Sequence, residues 1–227
     1  FFGRYAKKGF NLIDLLSRKY DVVATNPPYM STRNMSAGLN AYLKNEYAIG
    51  KSDLFSAFIL RGRMLLKNNG YLGMVTQHSW MFMKTYTKLR RMLLSKSKIE
   101  LIVHLGPHSF SEIGREVVSS MLFILNNKYD PDHTILANRQ IGFDYADKQI
   151  NLLKENFMDN VYIVEQNKLL NIDDYLIIYW ISDNIYTILT TYDKLNMYCD
   201  VVVGLQTGDN SKLTRFFWEI NDFDRWN

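Results

Sequence analysis

Two adjacent prolines set directly behind a β-branched run constrain this chain more than any other feature. Tyr20-Asp21-Val22-Val23-Ala24-Thr25 reads as a strand, and Asn26-Pro27-Pro28-Tyr29 stops it. Proline has no N–H to give to a sheet ladder, so the strand ends there and the chain turns. A short apolar run bounded by such breakers is the pattern of a buried parallel strand.

The rest of the first half repeats that alternation. Asn11 to Ser17 carries an apolar pattern for one or two helical turns, and Met30 to Gly50 is polar without clear period, which predicts a long loop. Ser52-Asp53 looks like a helix start, with Leu54, Phe55, Phe58, Ile59 and Met64 or Leu65 at helical spacing and Asn68-Asn69-Gly70 as the stop. Tyr71 to Thr76 predicts a second strand, Met81 to Leu94 a second helix, Ile99 to Leu105 a third strand closed by Gly106-Pro107, and Val117 to Leu125 a fourth. Strand, helix, strand, helix, strand implies an α/β sheet with parallel crossovers. The short loop between the last two strands predicts that they pair antiparallel. Beyond Asn127 the character changes, and Pro131 with its polar neighbours suggests a boundary at residues 127 to 134. Gln149 to Asn160 reads as helix, Tyr175 to Ile181 as a strand or buried segment, and Gly204 to Asn210 as a glycine-bracketed loop suited to a turn or a phosphate.

The chemistry is concentrated at Asn26-Pro27-Pro28-Tyr29. Ligands of open α/β sheets bind in the crevice at the carboxyl ends of strands. There Asn26 offers a side-chain carbonyl, and the Pro27 carbonyl is freed from any ladder. Two converging acceptors suit an exocyclic amino group, which has two N–H donors, while Tyr29 offers a ring for a planar base. This is the chemistry of amino-group methylation. Hydrogen bonds to both N–H groups draw electron density onto a delocalised nitrogen, so attack on a sulfonium methyl proceeds through orientation and electrostatics. A base inside a duplex must first be flipped out, and stacking on Tyr29 offsets part of that cost.

The run resembles motif IV of the amino-group methyltransferases. The wider chain resembles the adenine-specific DNA methyltransferases of BREX phage-defence systems, the PglX family. The resemblance rests on Lys19 to Met30, Lys51-Ser52-Asp53-Leu54-Phe55, Gly70-Tyr71 through Phe82, His104-Leu105-Gly106 through Phe110, and Gly204 to Asn210, in that order. It implies the later half of a Rossmann-like class I methyltransferase sheet, mostly parallel with an antiparallel last pair. It further implies S-adenosylmethionine as cofactor, double-stranded DNA as substrate, and other phage-defence proteins as partners. Carried across, Asn26, Pro27, Pro28 and Tyr29 form the catalytic motif, Phe110 is a second aromatic contact to the flipped adenine, and Asp53 lies in the methyl-donor pocket. Asp53 also suits a plain helix cap. The family's glycine-rich cofactor loop is expected upstream of Phe1, so the chain is expected to be part of a longer protein and inactive alone. Residues 1–130 would be the later half of the catalytic domain, and 131–227 a linker and the start of a target-recognition region.

Composition adds limits. Twenty-seven basic against 23 acidic residues give +4, which favours a polyanionic partner without requiring one. Lys84, Lys88, Arg90 and Arg91 lie in a run without an acid, a solvated helix face or a set of DNA phosphate contacts. Gly106-Pro107 between His104 and His108 denies them a shared helix face, so no metal is expected. Cys199 is the one cysteine, expected to be a small buried side chain; it excludes an internal disulfide. No apolar run approaches the ~20 residues of a membrane span and no leader opens the chain, which points to a cytoplasmic protein. Two other readings keep the motif or the partner. One is a methyltransferase of the same fold acting on protein glutamine or RNA. The other is a non-catalytic DNA-binding assembly component, against which the intact Asn26 to Tyr29 run argues.

Overall fold

The computed structural model describes residues 2–107, 109, 118–153 and 160–200. Its first compact unit, residues 1–190, is built on one six-stranded sheet in the order β1-β2-β4-β3-β5-β6. The strands are β1 Tyr20–Thr25, β2 Leu66–Gln77, β3 Lys98–Gly106, β4 Ser120–Asn126, β5 Thr134–Arg139 and β6 Val161–Glu165. The pairs β1–β2 and β3–β5 are parallel, while β4 runs antiparallel between β2 and β3 and β6 antiparallel to β5. Four strands therefore share one direction, and the expected antiparallel pairing of the third and fourth strands is present. β4 is wedged between β2 and β3, so the crossover from β2 to β3 leaves a gap that a later strand fills.

The helices are α1 Phe2–Ser17, α2 Ala37–Glu46, α3 Leu54–Met64, α4 Thr87–Lys96, α5 Tyr145–Leu153, α6 Gln166–Leu170 and α7 Asp183–Thr191. Phe55 and Ile59 of α3 and Leu89, Leu93 and Leu94 of α4 are fully buried, in one cluster with Leu72, Met74, Ile102, Phe123 and Leu125 of the sheet. At roughly 1.5–3 kcal/mol for each large side chain taken out of water, this cluster dominates the stability of the unit. In α1, by contrast, Tyr5, Phe10, Ile13 and Leu16 are exposed. The second unit, residues 191–227, is described only to residue 200, where Leu195–Met197 form a 3-10 turn and Cys199 is exposed rather than buried.

Several local expectations are corrected. The polar stretch 30–50 contains α2, capped by the Ser36 side chain, which accepts from the Leu39 N–H. Leu43 is its one buried residue, so no apolar stripe marks it. Helix α3 ends at Met64, where its apolar spacing runs out, but Asn68-Asn69-Gly70, expected as its stop, instead forms an irregularity inside β2. Asn69 sits there in the left-handed region (φ 61°), and the pairing jumps from Tyr20–Leu66 to Val22–Tyr71. The helix expected from Met81 starts only at Thr87, after 3-10 turns at His78–Met81 and Lys84–Tyr86. Helix α5 begins at Tyr145, earlier than expected, and residues 154–159 lie outside the described residues. Tyr175 to Ile181 is a buried irregular segment, pinned by the Ile177 N–H to the Met81 carbonyl.

Residues 127–133 are a turn within the sheet, because β5 starts at Thr134 and pairs with β3. Gln166 binds the later residues to the earlier ones: its Oε1 accepts from the Ile99 N–H (2.8 Å), and its Nε2 donates to the carbonyls of Leu94 (2.8 Å) and Ser97 (2.7 Å).

Arg90, a candidate phosphate contact, is fully buried. Its guanidinium donates to the carbonyls of Trp80 (2.8 Å), Met83 (2.7 Å) and Asp174 (3.0 and 2.8 Å), so it is a structural staple with no face left for DNA. Asp174 and Tyr175, both at positive φ (54° and 56°), are held in that conformation by the Arg90 bonds. Replacing Arg90 by Met takes the donor from the Trp80 and Asp174 carbonyls, while the Met83 carbonyl keeps the Tyr86 N–H, and each group orphaned out of water costs about 1–3 kcal/mol. The denaturation midpoint of Arg90→Met is therefore expected to fall sharply, whereas exposed Lys88→Ala stays within about 0.5 kcal/mol of the parent. Equal midpoints for the two variants would refute the staple.

Candidate active site

The turn after β1 is held by one carboxylate. Asp53, 5 % exposed, caps α3: its Oδ1 accepts from the Phe55 N–H (3.2 Å) and from the Met30 N–H (3.0 Å). The Leu54 N–H returns a bond to the Met30 carbonyl (2.9 Å), the Thr32 N–H reaches the Ser52 carbonyl, and Ser31 and Asp53 form an isolated antiparallel bridge. The residues behind Tyr29 are thus sewn to the α3 N-terminus, which places Asn26 to Tyr29 at the carboxyl edge of β1. Burial raises the Asp53 carboxyl above its ordinary range, partly opposed by these N–H donors. Its assignment to the methyl-donor pocket has to accommodate that engaged oxygen.

Within the motif, Pro27 is buried and Asn26 and Pro28 are exposed. The Asn26 amide and the Pro27 carbonyl make no hydrogen bond with any described residue. The Tyr29 ring stands edge-on to Phe55 (6.1 Å, 82°), and Phe55 stacks at 5.7 Å against Tyr86. Such aromatic pairs add about 0.5–1.5 kcal/mol beyond their burial. Burial pushes the Tyr29 phenol up, and it pushes Tyr86, with Asp53 nearby, to about 12. The Tyr29 hydroxyl and Ser120 Oγ are near enough to interact electrostatically, yet both are buried without a partner of hydrogen-bonding geometry.

Next along the same edge is a group that sequence spacing did not reveal. His78 follows β2, His104 lies near the end of β3, and Tyr179 comes from the irregular segment. His78 Nδ1 is 2.7 Å from His104 Nε2, and His104 Nδ1 is 3.1 Å from the Tyr179 hydroxyl. Phe82 and Trp180 pack on these rings at 5.5–6.2 Å. His104 is 1 % exposed; burial, with His78 and Arg139 adding like charge, depresses its imidazole to about 3. No regular period links residues 78, 104 and 179. The one signal available was two histidines and two aromatics at the ends of apolar runs.

Other expectations divide. Lys84, Lys88 and Arg91 are exposed, and Arg91 lies 5.8 Å from the Tyr175 ring centre. Phe110, His108 and the Gly204 to Asn210 loop lie outside the described residues. Among the described residues there is no cluster of three or more His, Cys, Asp or Glu side chains that could hold a metal, and no helix long and apolar enough to cross a membrane.

Comparison with known proteins places this geometry in context. Residues 4–110 match the Eco57I restriction-modification methylase family. The chain is 31% identical over 214 residues, 92% of its length, to the adenine-specific methyltransferase PglX of Lacticaseibacillus casei (strain Zhang), of which it covers 18%. It is equally similar to the adenine-specific methyltransferase BrxX of Escherichia coli O9:H4 (strain HS), 31% over 92% of the chain and 17% of that protein. The chain therefore spans less than a fifth of the length of these relatives. In fold it superposes with a TM-score of 0.59 on a nuclease-deletion mutant of the Type ISP restriction-modification enzyme LlaGI in complex with a DNA substrate mimic, at 14% identity, over 79% of this chain and 17% of that one.

The buried imidazole has a measurable consequence. In the unfolded chain His104 takes a proton below about 6.5. Folded, it stays neutral down to about 3. The unfolded state then binds more protons, so this contribution to stability is present above about 6.5 and is lost as pH falls, by at most about 1.4 kcal/mol per unit. Denaturant midpoints between pH 7 and 4.5 are expected to fall less steeply for His104→Asn than for the parent. Parallel curves would refute a neutral buried imidazole.

Proposed function

Residues 4–110 match the Eco57I restriction-modification methylase family, and on that likeness we propose that the chain is a member and forms the methyl-acceptor side of an adenine-N6 DNA methyltransferase acting in phage defence or restriction-modification. The observation that carries the reading is the pair of unengaged acceptors, Asn26 Oδ1 and the Pro27 carbonyl, at the carboxyl edge of β1. Fold and family are those of enzymes that methylate, and the named homologues are adenine-specific.

In this reading an adenine leaves the duplex and its amino group donates one N–H to Asn26 and one to Pro27. Both acceptors raise the electron density on the nitrogen as it becomes tetrahedral, which is electrostatic stabilisation aimed at the transition state. The Tyr29 ring, fixed against Phe55, gives the base a rigid wall. Neither acceptor is a base, so the proton lost from the methylated nitrogen goes to water. S-adenosylmethionine would supply the electrophilic methyl. The residues present fit the acceptor side of that reaction: Asn26 and Pro27 have unused lone pairs, while Asp53 spends Oδ1 on the main chain and so shapes the turn beside the methyl donor. Exposed Lys84, Lys88 and Arg91 supply backbone contacts to the duplex, and Phe110 a second contact to the base. Residues beyond β4 lead toward target recognition, and other defence-system proteins are the partners.

The test is a map of methylated adenines in a methylation-free bacterial host that expresses the full-length parent protein or its Asn26→Ala form. Marks in one fixed sequence context are expected from the parent. The variant should lose them by a factor of about 100 or more, the usual cost of removing one transition-state hydrogen bond. Marks that persist undiminished in Asn26→Ala would overturn the assignment.

A further inference from the structure

Arg139 ends β5 directly across from His104 in parallel register. Its guanidinium carbon lies 5.4 Å from the centre of the Trp180 ring. The Nε atom is buried and bonds to nothing, and the guanidinium makes no hydrogen bond or ion pair with any described residue. The contrast with Arg90, whose donors all end on carbonyls or a hydroxyl, is complete. A cation half out of water with no partner is costly, and stacking on Trp180 offsets only part of that cost.

A second observation comes from the protons of the neighbouring relay. The Tyr179 hydroxyl is in a 4 % exposed residue, and its one side-chain bond is to His104 Nδ1. Either polarity of these two contacts leaves one donor spare, and the less costly one keeps the proton of the buried Tyr179 hydroxyl bonded and leaves the spare N–H on half-buried His78. The Tyr179 O–H donates to His104 Nδ1, the His104 Nε2–H donates to His78 Nδ1, and His78 carries its own proton on Nε2. His78 Nε2–H then has no acceptor among the described residues.

On either side of buried His104, therefore, stand two unused donors, one cationic and one neutral, and neither can accept. Both lie on the edge that carries Asn26 to Tyr29. The pairs Gln77–Ser120 and Gly106–Ser120 put the ends of β2 and β3 level, β1 stops on the same edge at Thr25 opposite Met74, three residues before Gln77, and the His78 N–H bonds to the Ser119 carbonyl. An anionic ligand that only accepts hydrogen bonds fits such a pair. We propose that Arg139, stacked on Trp180, and His78 grip the phosphodiester backbone of the DNA strand whose base enters the Asn26 site. This rests on the reading of the chain as a DNA methyltransferase. A planar guanidinium suits a phosphate, and a phosphate contact positions the strand without reading its sequence.

The experiment measures DNA affinity of the full-length protein against salt concentration, on a target duplex and an unrelated one. Removing one cationic phosphate contact lowers the slope of log K against log salt by about 0.9. Arg139→Gln is expected to show that reduction and to weaken both duplexes equally, with a thermal midpoint lowered only slightly, because the Trp180 ring is the side-chain contact it gives up among the described residues. Arg139→Lys keeps the charge and should restore the slope. His78→Phe removes a neutral donor and should weaken binding about 3- to 10-fold at the parental slope. A parental slope for Arg139→Gln in a protein that binds and methylates DNA, or a sharply lowered midpoint, overturns the proposal and leaves the methyltransferase reading standing. A parent that neither binds nor methylates DNA overturns both.

Discussion

One carboxylate oxygen holds the candidate site together. The two prolines force the chain off β1, but they do not say where it goes. Asp53 Oδ1 does, by accepting from Met30 on the outgoing chain and from Phe55 at the start of α3. From that knot the consequences spread through packing. Phe55 is seated in the core, Tyr29 rests its edge on Phe55, and Tyr86 closes the far side. With Tyr29 fixed, Asn26 and Pro27 can remain without partners of their own, because the turn does not depend on them for its shape. The structural work of the motif and its chemical work thus fall on different atoms.

The parts of the fold legible in sequence are those where burial is regular. β1, β3, β4 and the start of α3 announce themselves by apolar runs, breakers and a capping aspartate. Helix α2 does not, since only Leu43 reaches the core and a polar helix looks like a loop. The extent of β2 was hidden by Asn69, which tolerates a left-handed backbone and so lets the strand absorb what reads as a terminator. Arg90 is the instructive failure. In sequence it is one of several basic residues on a helix, and its burial follows from carbonyls of Trp80, Met83 and Asp174 that only the fold brings together. The motif at Asn26 was legible because chemistry and strand end coincide there. The His78, His104 and Tyr179 relay was not, because its members are joined by topology alone.

Two polar anchors also tie the residues past β4 to those before it. Gln166 stitches α6 to the end of α4 and the start of β3, and Arg90 reaches across to Asp174. Each is a buried side chain saturated by main-chain partners, so each gives a unique docking geometry to a surface that apolar contact alone would leave free to slide. The sheet continues through β5 and β6 on this footing, and Arg139 and Tyr179 reach the site edge from there.

The place of β4 has a consequence for how the chain assembles. It is the fourth strand in sequence, yet it lies between the second and the third. During synthesis β1 and β2 can pair as soon as both exist, but β2 then keeps an open edge while some forty residues, including α4 and all of β3, leave the ribosome. Only the arrival of Ser120–Asn126 unites the two halves. Closure therefore waits on a non-local strand insertion, a step slowed by loop-closure entropy. The early half, with an apolar edge in waiting, is the species on which cellular folding factors would act.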